Sequence, residues 1–272
     1  MNILPRRLGR KTISGLLALA ATAFFVPAAP AQSDHADYVQ ALQDNQMADL
    51  AVDYLRILEK RPGLAKGIKD ELDYDLAQAL MALAEVADAE TERKSHDEAS
   101  ERFRRYLGSH GKSERGIDSR NQLAYVLLKR GQRSLTLADA EKDAKRVAAH
   151  RVEARKQFDQ ARKDFDAAID EYGKTIAGAG DEEEAEKASK QARRKERLQA
   201  ALVQARLNRA MVDYQAARSY GATEKPRKEA LKSAENLFAQ IAADTGKGNI
   251  TPASIYAALF QAKAVGESGN LN

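Results

Sequence analysis

The sequence predicts an all-α fold, and three observations carry that reading. No proline occurs between Pro62 and Pro226, and no glycine between Gly131 and Gly173 or between Gly180 and Gly221, so about 40 residues on either side of Gly173-Gly180 are free to be helical. Apolar residues recur at steps of three and four along most of the chain. With 31% charged residues, 6% aromatics and no tryptophan, the composition suits long helices sharing a thin core rather than one thick globule.

The elements follow in order. Residues 1–31 read as a secretory leader: Arg6, Arg7, Arg10 and Lys11 form a cationic start, residues 13–26 an apolar run, and Ala29-Pro30-Ala31 a small-x-small cleavage site. A retained anchor is the alternative. Against it, 14 apolar residues make a helix of about 21 Å, short of a hydrocarbon core of about 30 Å. The leader holds four basic residues and no acid, so removing it brings Lys+Arg from 44 down to the number of Asp+Glu, 40. The basic excess therefore belongs to the leader and is no sign of a nucleic-acid partner.

The stretch 97–111 places Ala99, Phe103, Tyr106 and Leu107 on one helical side and ends at Gly111. The same steps recur at Ala161, Phe165, Ala168, Ile169 and Gly173, at Ala234, Phe238, Ile241, Ala242 and Gly246, and more loosely at Leu50, Tyr54, Ile57, Leu58 and Pro62. Between the copies, and after the last, lie helices of a second kind. One carries Leu76, Ala77, Leu80 and Ala84, another Leu123, Ala124, Leu127 and Gly131, and Tyr256, Leu259 and Phe260 open a third.

Residues 132–221 read as a long antiparallel coiled-coil hairpin. Leu137, Ala140, Ala144, Val147, Arg151, Ala154, Phe158, Ala161, Phe165, Ala168 and Tyr172 make a seam, and Ala200, Val203, Leu207, Ala210, Tyr214 and Ala217 answer it. Residues 173–180, with three glycines, form the joint, and the acids at 181–184 cap the return helix. Residues 222–272 carry the last copy. Its final segment, from Pro252 to Val265, is apolar on two sides, and the expectation is that it exposes Tyr256 or Phe260 as part of an incomplete array.

Together the two helix types resemble the tetratricopeptide repeat (TPR) family, over most of residues 34–272. The resemblance implies a TPR-like helical-hairpin solenoid, with TPR-like repeats over residues 34–131 and a lengthened middle unit in the hairpin. Copies start 49, 62 and 73 residues apart, where the family repeats about every 34. Positions two before and two or five after the large residue of the first helix face the groove in that family. Here they are Tyr74, Gln78, Met81, Asn121, Tyr125 and Leu128, with burial between units, above all of Met81 and Leu128, as the other reading.

Catalytic patterns are missing. The chain has no cysteine, no HExxH, no P-loop and no GxSxG, and His35, His96, His110 and His150 are scattered and read as surface residues. Arg193, Arg194, Lys195 and Arg197 read as a solvated helix face. No cofactor or metal is expected. Two functions stand: an exported, periplasmic adaptor holding a protein or peptide of the cell envelope, and a self-associating structural coiled-coil protein, neither spanning a membrane once the leader is removed.

Overall fold

The computed structural model describes residues 31–178, 185–246 and 250–269. The leader through residue 30, the acidic run at 181–184 and the closing Asn270-Leu271-Asn272 lie outside them. The described residues form helices and turns only. The helices are α1 (Ala31–Asp44), α2 (Ala48–Glu59), α3 (Lys66–Val86), α4 (Ala89–His110), α5 (Glu114–Ala140), α6 (Ala144–Ala177), α7 (Ala185–Ala217), α8 (Lys225–Thr245) and α9 (Pro252–Ser268).

Each helix packs chiefly on its sequence neighbours, and α1 with α3, α5 with α7 and α7 with α9 touch as well. Neighbours run antiparallel: Asp97 pairs with Arg130 across α4 and α5, and Asp166 with Arg209 across α6 and α7. Odd-numbered helices run parallel to one another. Tyr74 reaches Asp118 from α3 to α5, and Tyr214 bonds Glu267 from α7 to α9.

The start signals are local and chemical. Asp88 accepts from Glu90 N and Thr91 N at 3.0 Å to open α4, and Ser113 accepts from Gly116 N at 3.0 Å to open α5. Thr251 and Ser254 cap α9 reciprocally, with Pro252 in its first turn.

The repeated steps all fall on even-numbered helices. Ala99 and Phe103 on α4, Ala161, Phe165 and Ala168 on α6, and Ala234 and Phe238 on α8 are all fully buried. Alanine is needed where two helix backbones come close, and the ring four residues on fills the space beside it. Each buried phenylalanine stabilises the fold by about 1.5–3 kcal/mol relative to an exposed one.

On α2 the register is one residue later than the sequence reading. Ala51, Leu55 and Leu58 are buried, while Leu50 and Ile57 are 50% and 72% exposed. Tyr54, which drew that reading as the aromatic of the set, instead meets His35 and Tyr38 of α1.

Three further expectations are corrected. The seam through residue 137–172 is not one helix: Glu141, Lys142 and Asp143 separate α5 from α6. Glu141 accepts from Lys142 N at 2.8 Å and Asp143 N at 3.0 Å, and Asp143 accepts from Arg146 N at 2.9 Å, so two carboxylates satisfy the freed backbone donors. Leu137 is accordingly 46% exposed and Ala144 exposed, whereas Ala154 to Tyr172 at the same spacing are buried.

The second correction concerns the glycines. Gly131 ends no helix; it lies inside α5, where an added Cβ would stand 2.4 Å from Cε1 of Phe158. Gly173 likewise lies inside α6, whose C-cap is Gly178. The third concerns histidines: His35 and His96 are buried, the former within 3.3 Å of the Tyr54 hydroxyl.

Candidate binding face

Two hollows open on the side formed by the odd-numbered helices. The first, of about 690 Å³, lies between α1, α3, α5 and the first half of α7. Its floor is a polar knot around Asp118, which accepts from Tyr74 Oη at 2.8 Å, Gln78 Nε2 at 2.7 Å and Tyr172 Oη at 3.3 Å. One carboxylate thus ties α3, α5 and α6 together.

Burial pushes the Asp118 carboxyl up, against the pull of these hydrogen bonds. Burial and the neighbouring Asp118 charge push the hydroxyls of Tyr74 and Tyr172 well above the usual tyrosine range. Asp75 is raised by burial although Arg115 and His35 oppose it. Arg115 lies 4.8 Å from the centre of the Tyr74 ring and pairs with Glu71 at 2.7 Å and Asp75 at 3.3 Å. The groups of this floor satisfy one another in a single network across α3, α5 and α6.

The second hollow, of about 1090 Å³, lies between α5, α7 and α9. Leu128, Val203, Leu207, Met211, Tyr256 and Phe260 give it an apolar floor, and Gln132, Gln199, Gln204 and Asn208 give it amides. Lys129 and Glu196 are its two charged residues. Lys129 stands 3.7 Å from Glu85 and over the Tyr125 ring, whose hydroxyl donates to Glu85 at 3.0 Å.

The six residues chosen from the repeat pattern divide between these places. Tyr74 and Gln78 line the polar hollow, and Tyr125 and Leu128 the apolar one. Met81 is buried in the core with Ala99 and Val126, and Asn121 is buried at 6% exposure; neither lines a hollow. Leu128, although in the wall, is 2% exposed.

Sequence reasoning missed the α7 and α9 walls. Of the expected return seam on α7, Leu207, Ala210, Tyr214 and Ala217 are buried in one core with Phe158, Ala161 and Phe165, whereas Ala200 is exposed and Val203 half-buried in the wall of the hollow; Leu198 and Ala205, outside that seam, pack with Ala168 and Tyr172 in their place. The available signal was the uncharged stripe Gln199, Ala200, Val203, Gln204, Leu207, Asn208 and Met211, on a helix otherwise rich in Arg and Lys.

Arg193, Arg194, Lys195 and Arg197 are exposed, with Arg194 bonded to Glu114 and Arg197 at the rim of the polar hollow. Among the described residues no group of three His, Asp or Glu is placed to hold a metal ion, and no helix is long and apolar enough to cross a membrane. No family model, curated protein or solved structure matches the chain.

Proposed function

We propose that the chain is an exported, non-catalytic scaffold, built as a TPR-like solenoid, whose odd-helix face holds a protein or peptide of the cell envelope. The observation that carries this reading is the 1090 Å³ hollow, open along α7, with an apolar floor and two charges in its lining. Exposed apolar surface rimmed by polar groups marks binding surfaces more often than it marks inert ones. The leader-like residues 1–31 support export, and helix pairs repeating one buried pattern support the solenoid.

The test uses photo-crosslinking amino acids placed one at a time at Val203 and Tyr256 in the hollow, and at Lys163 and Lys228, exposed on even-numbered helices. The reading expects defined adducts in the envelope fraction from the first pair and not from the second. Adducts from all four positions, or from the even-helix pair alone, would sink it.

Self-association stands as a second reading on one specific observation. On α9, Ile255 is 58% exposed, Leu259 51% and Tyr256 41%, so the last helix presents an apolar outer edge.

A further inference from the structure

The larger hollow adjoins a second one, of about 540 Å³, at the C-terminal end of its α7 wall, where Gln215 and Phe260 line both. The two are opposite in character. Of the 19 residues lining the larger, two are charged, Lys129 and Glu196, whereas among the seven lining the smaller Arg218, Arg227 and Lys263 are cationic and Glu267 alone is acidic.

Glu267 does not neutralise the three. It accepts from Tyr214 Oη and from Arg227 at 3.2 Å, while Arg218 reaches Asp139 at 3.3 Å across the surface, an exposed pair that contributes little in water. Lys263 stands 4.6 Å from the centre of the Phe260 ring and has no ion pair among the described residues. An uncompensated positive charge therefore lies beside the ring that the two hollows share.

The apolar floor is a single lane. Val203, Leu207 and Met211 follow one another at one-turn spacing along α7, and Tyr256 and Phe260 of α9 face them. The α7 wall from Glu196 to Gln215 is about 28 Å long, whereas one acyl chain spans half of a hydrocarbon core, about 15 Å. A purely ionic ligand leaves the lane unused, and a purely apolar one leaves the cations unanswered. One molecule answers both when it joins an apolar tail to an anionic head, and guanidinium and ammonium groups bind a carboxylate well.

We propose that the joined hollows bind a fatty-acid anion, its tail along Leu207, Met211 and Tyr256 and its carboxylate between Lys263 and Arg218. This goes beyond a protein partner for the odd-helix face and adds a regulator of it, since a seated tail covers floor that a polypeptide in the same hollow would use.

The test is calorimetric titration of the full chain with dodecanoate below its micelle-forming concentration. Saturable binding is expected, and decanoate, two methylenes shorter, should bind about tenfold more weakly. Dodecylammonium, with the same tail and the opposite charge, should also bind about tenfold more weakly, and Arg218→Gln with Lys263→Gln should erase that preference. Both cations are exposed, so an unchanged melting temperature shows that the double variant is folded. Tyr256→Glu and, separately, Asn208→Asp put an anion beside the tail and should each weaken dodecanoate binding about tenfold. Ile255→Lys, on the outer edge of α9 and outside both linings, should leave it intact.

No saturable binding, dodecylammonium bound as tightly as dodecanoate, binding unmoved by both Tyr256→Glu and Asn208→Asp, or binding lost in Ile255→Lys would each overturn the proposal. Adducts from Val203 formed without fatty acid are a separate result, on which the reading of the odd-helix face stands or falls.

Discussion

At the scale of single residues, two positions show how context reverses the effect of one substitution. Gly131 and Gly173 are both interior to helices, where alanine is favoured over glycine by about 1 kcal/mol. Nothing lies within 4 Å of a Cβ at Gly173, but at Gly131 the Phe158 ring lies at 2.4 Å, and that ring is fully buried. Gly173→Ala should therefore raise the urea midpoint. Gly131→Ala should lower it, through a net loss of about 1–3 kcal/mol of stability to overpacking. Equal gains for both would contradict the α5–α6 contact. Asp118 gives a pH signature. Burial raises its folded-state pKa above the usual 3.8, so the folded protein keeps a proton that the unfolded chain has released. Stability from this group is full below about pH 4 and declines as pH rises through the raised pKa. Asp118→Asn is neutral and keeps an acceptor oxygen. Its stability relative to the unaltered protein should improve as pH rises from about 4 through the raised pKa and level off beyond it, and a gap that does not move with pH would show that ionising this carboxyl is no burden.

At the scale of elements, α6 is covered on two sides, by α5 and by α7. Ala161 is fully buried on it and Lys163 exposed. Ala161→Arg should cost about 3 kcal/mol or more, since the added chain must displace packed neighbours and keep its charge wet. Lys163→Arg should fall within about 0.5 kcal/mol. Denaturant titration of the two variants side by side decides this, and equal midpoints would show the α6 seam to be unburied. Between α6 and α7 the buried Asp213 takes Arg162 and Arg209, each at 2.8 Å, and Ser233 of α8 at 2.6 Å. This network fixes the register of three helices, because an unpaired charge at that depth is strongly unfavourable. The break at Glu141–Asp143 belongs to this scale too. It contains neither glycine nor proline, and its signal was two acids able to cap the backbone around them.

At the scale of the whole molecule, the described residues form a row of helices in which α9 packs on α8 and α7. Ile255, Tyr256 and Leu259 leave an apolar edge there, as the two-sided pattern of residues 252–265 led one to expect. Concentrated protein should bind a hydrophobic dye and sediment as more than a monomer. Ile255→Lys with Leu259→Lys should abolish both at an unchanged melting temperature, whereas a dye-silent monomer at high concentration would make α9 a true cap. The helicity of the described residues, the buried Ala-x-x-x-Phe pattern of α4, α6 and α8 and the exposed edge of α9 were all legible in the sequence, because each depends on spacing within one helix. Tertiary structure alone decided the rest. Ala51 rather than Leu50 faces the α2 core, Gly131 admits a ring instead of ending a helix, His35 and His96 go inside, and Met81 and Asn121 are withdrawn from the binding face. The larger hollow needs Tyr125, Val203 and Tyr256, drawn from three helices. Periodicity states which residues share a face; which neighbour that face meets is settled only when all the helices pack, and the hollow is the surface that this packing leaves uncovered.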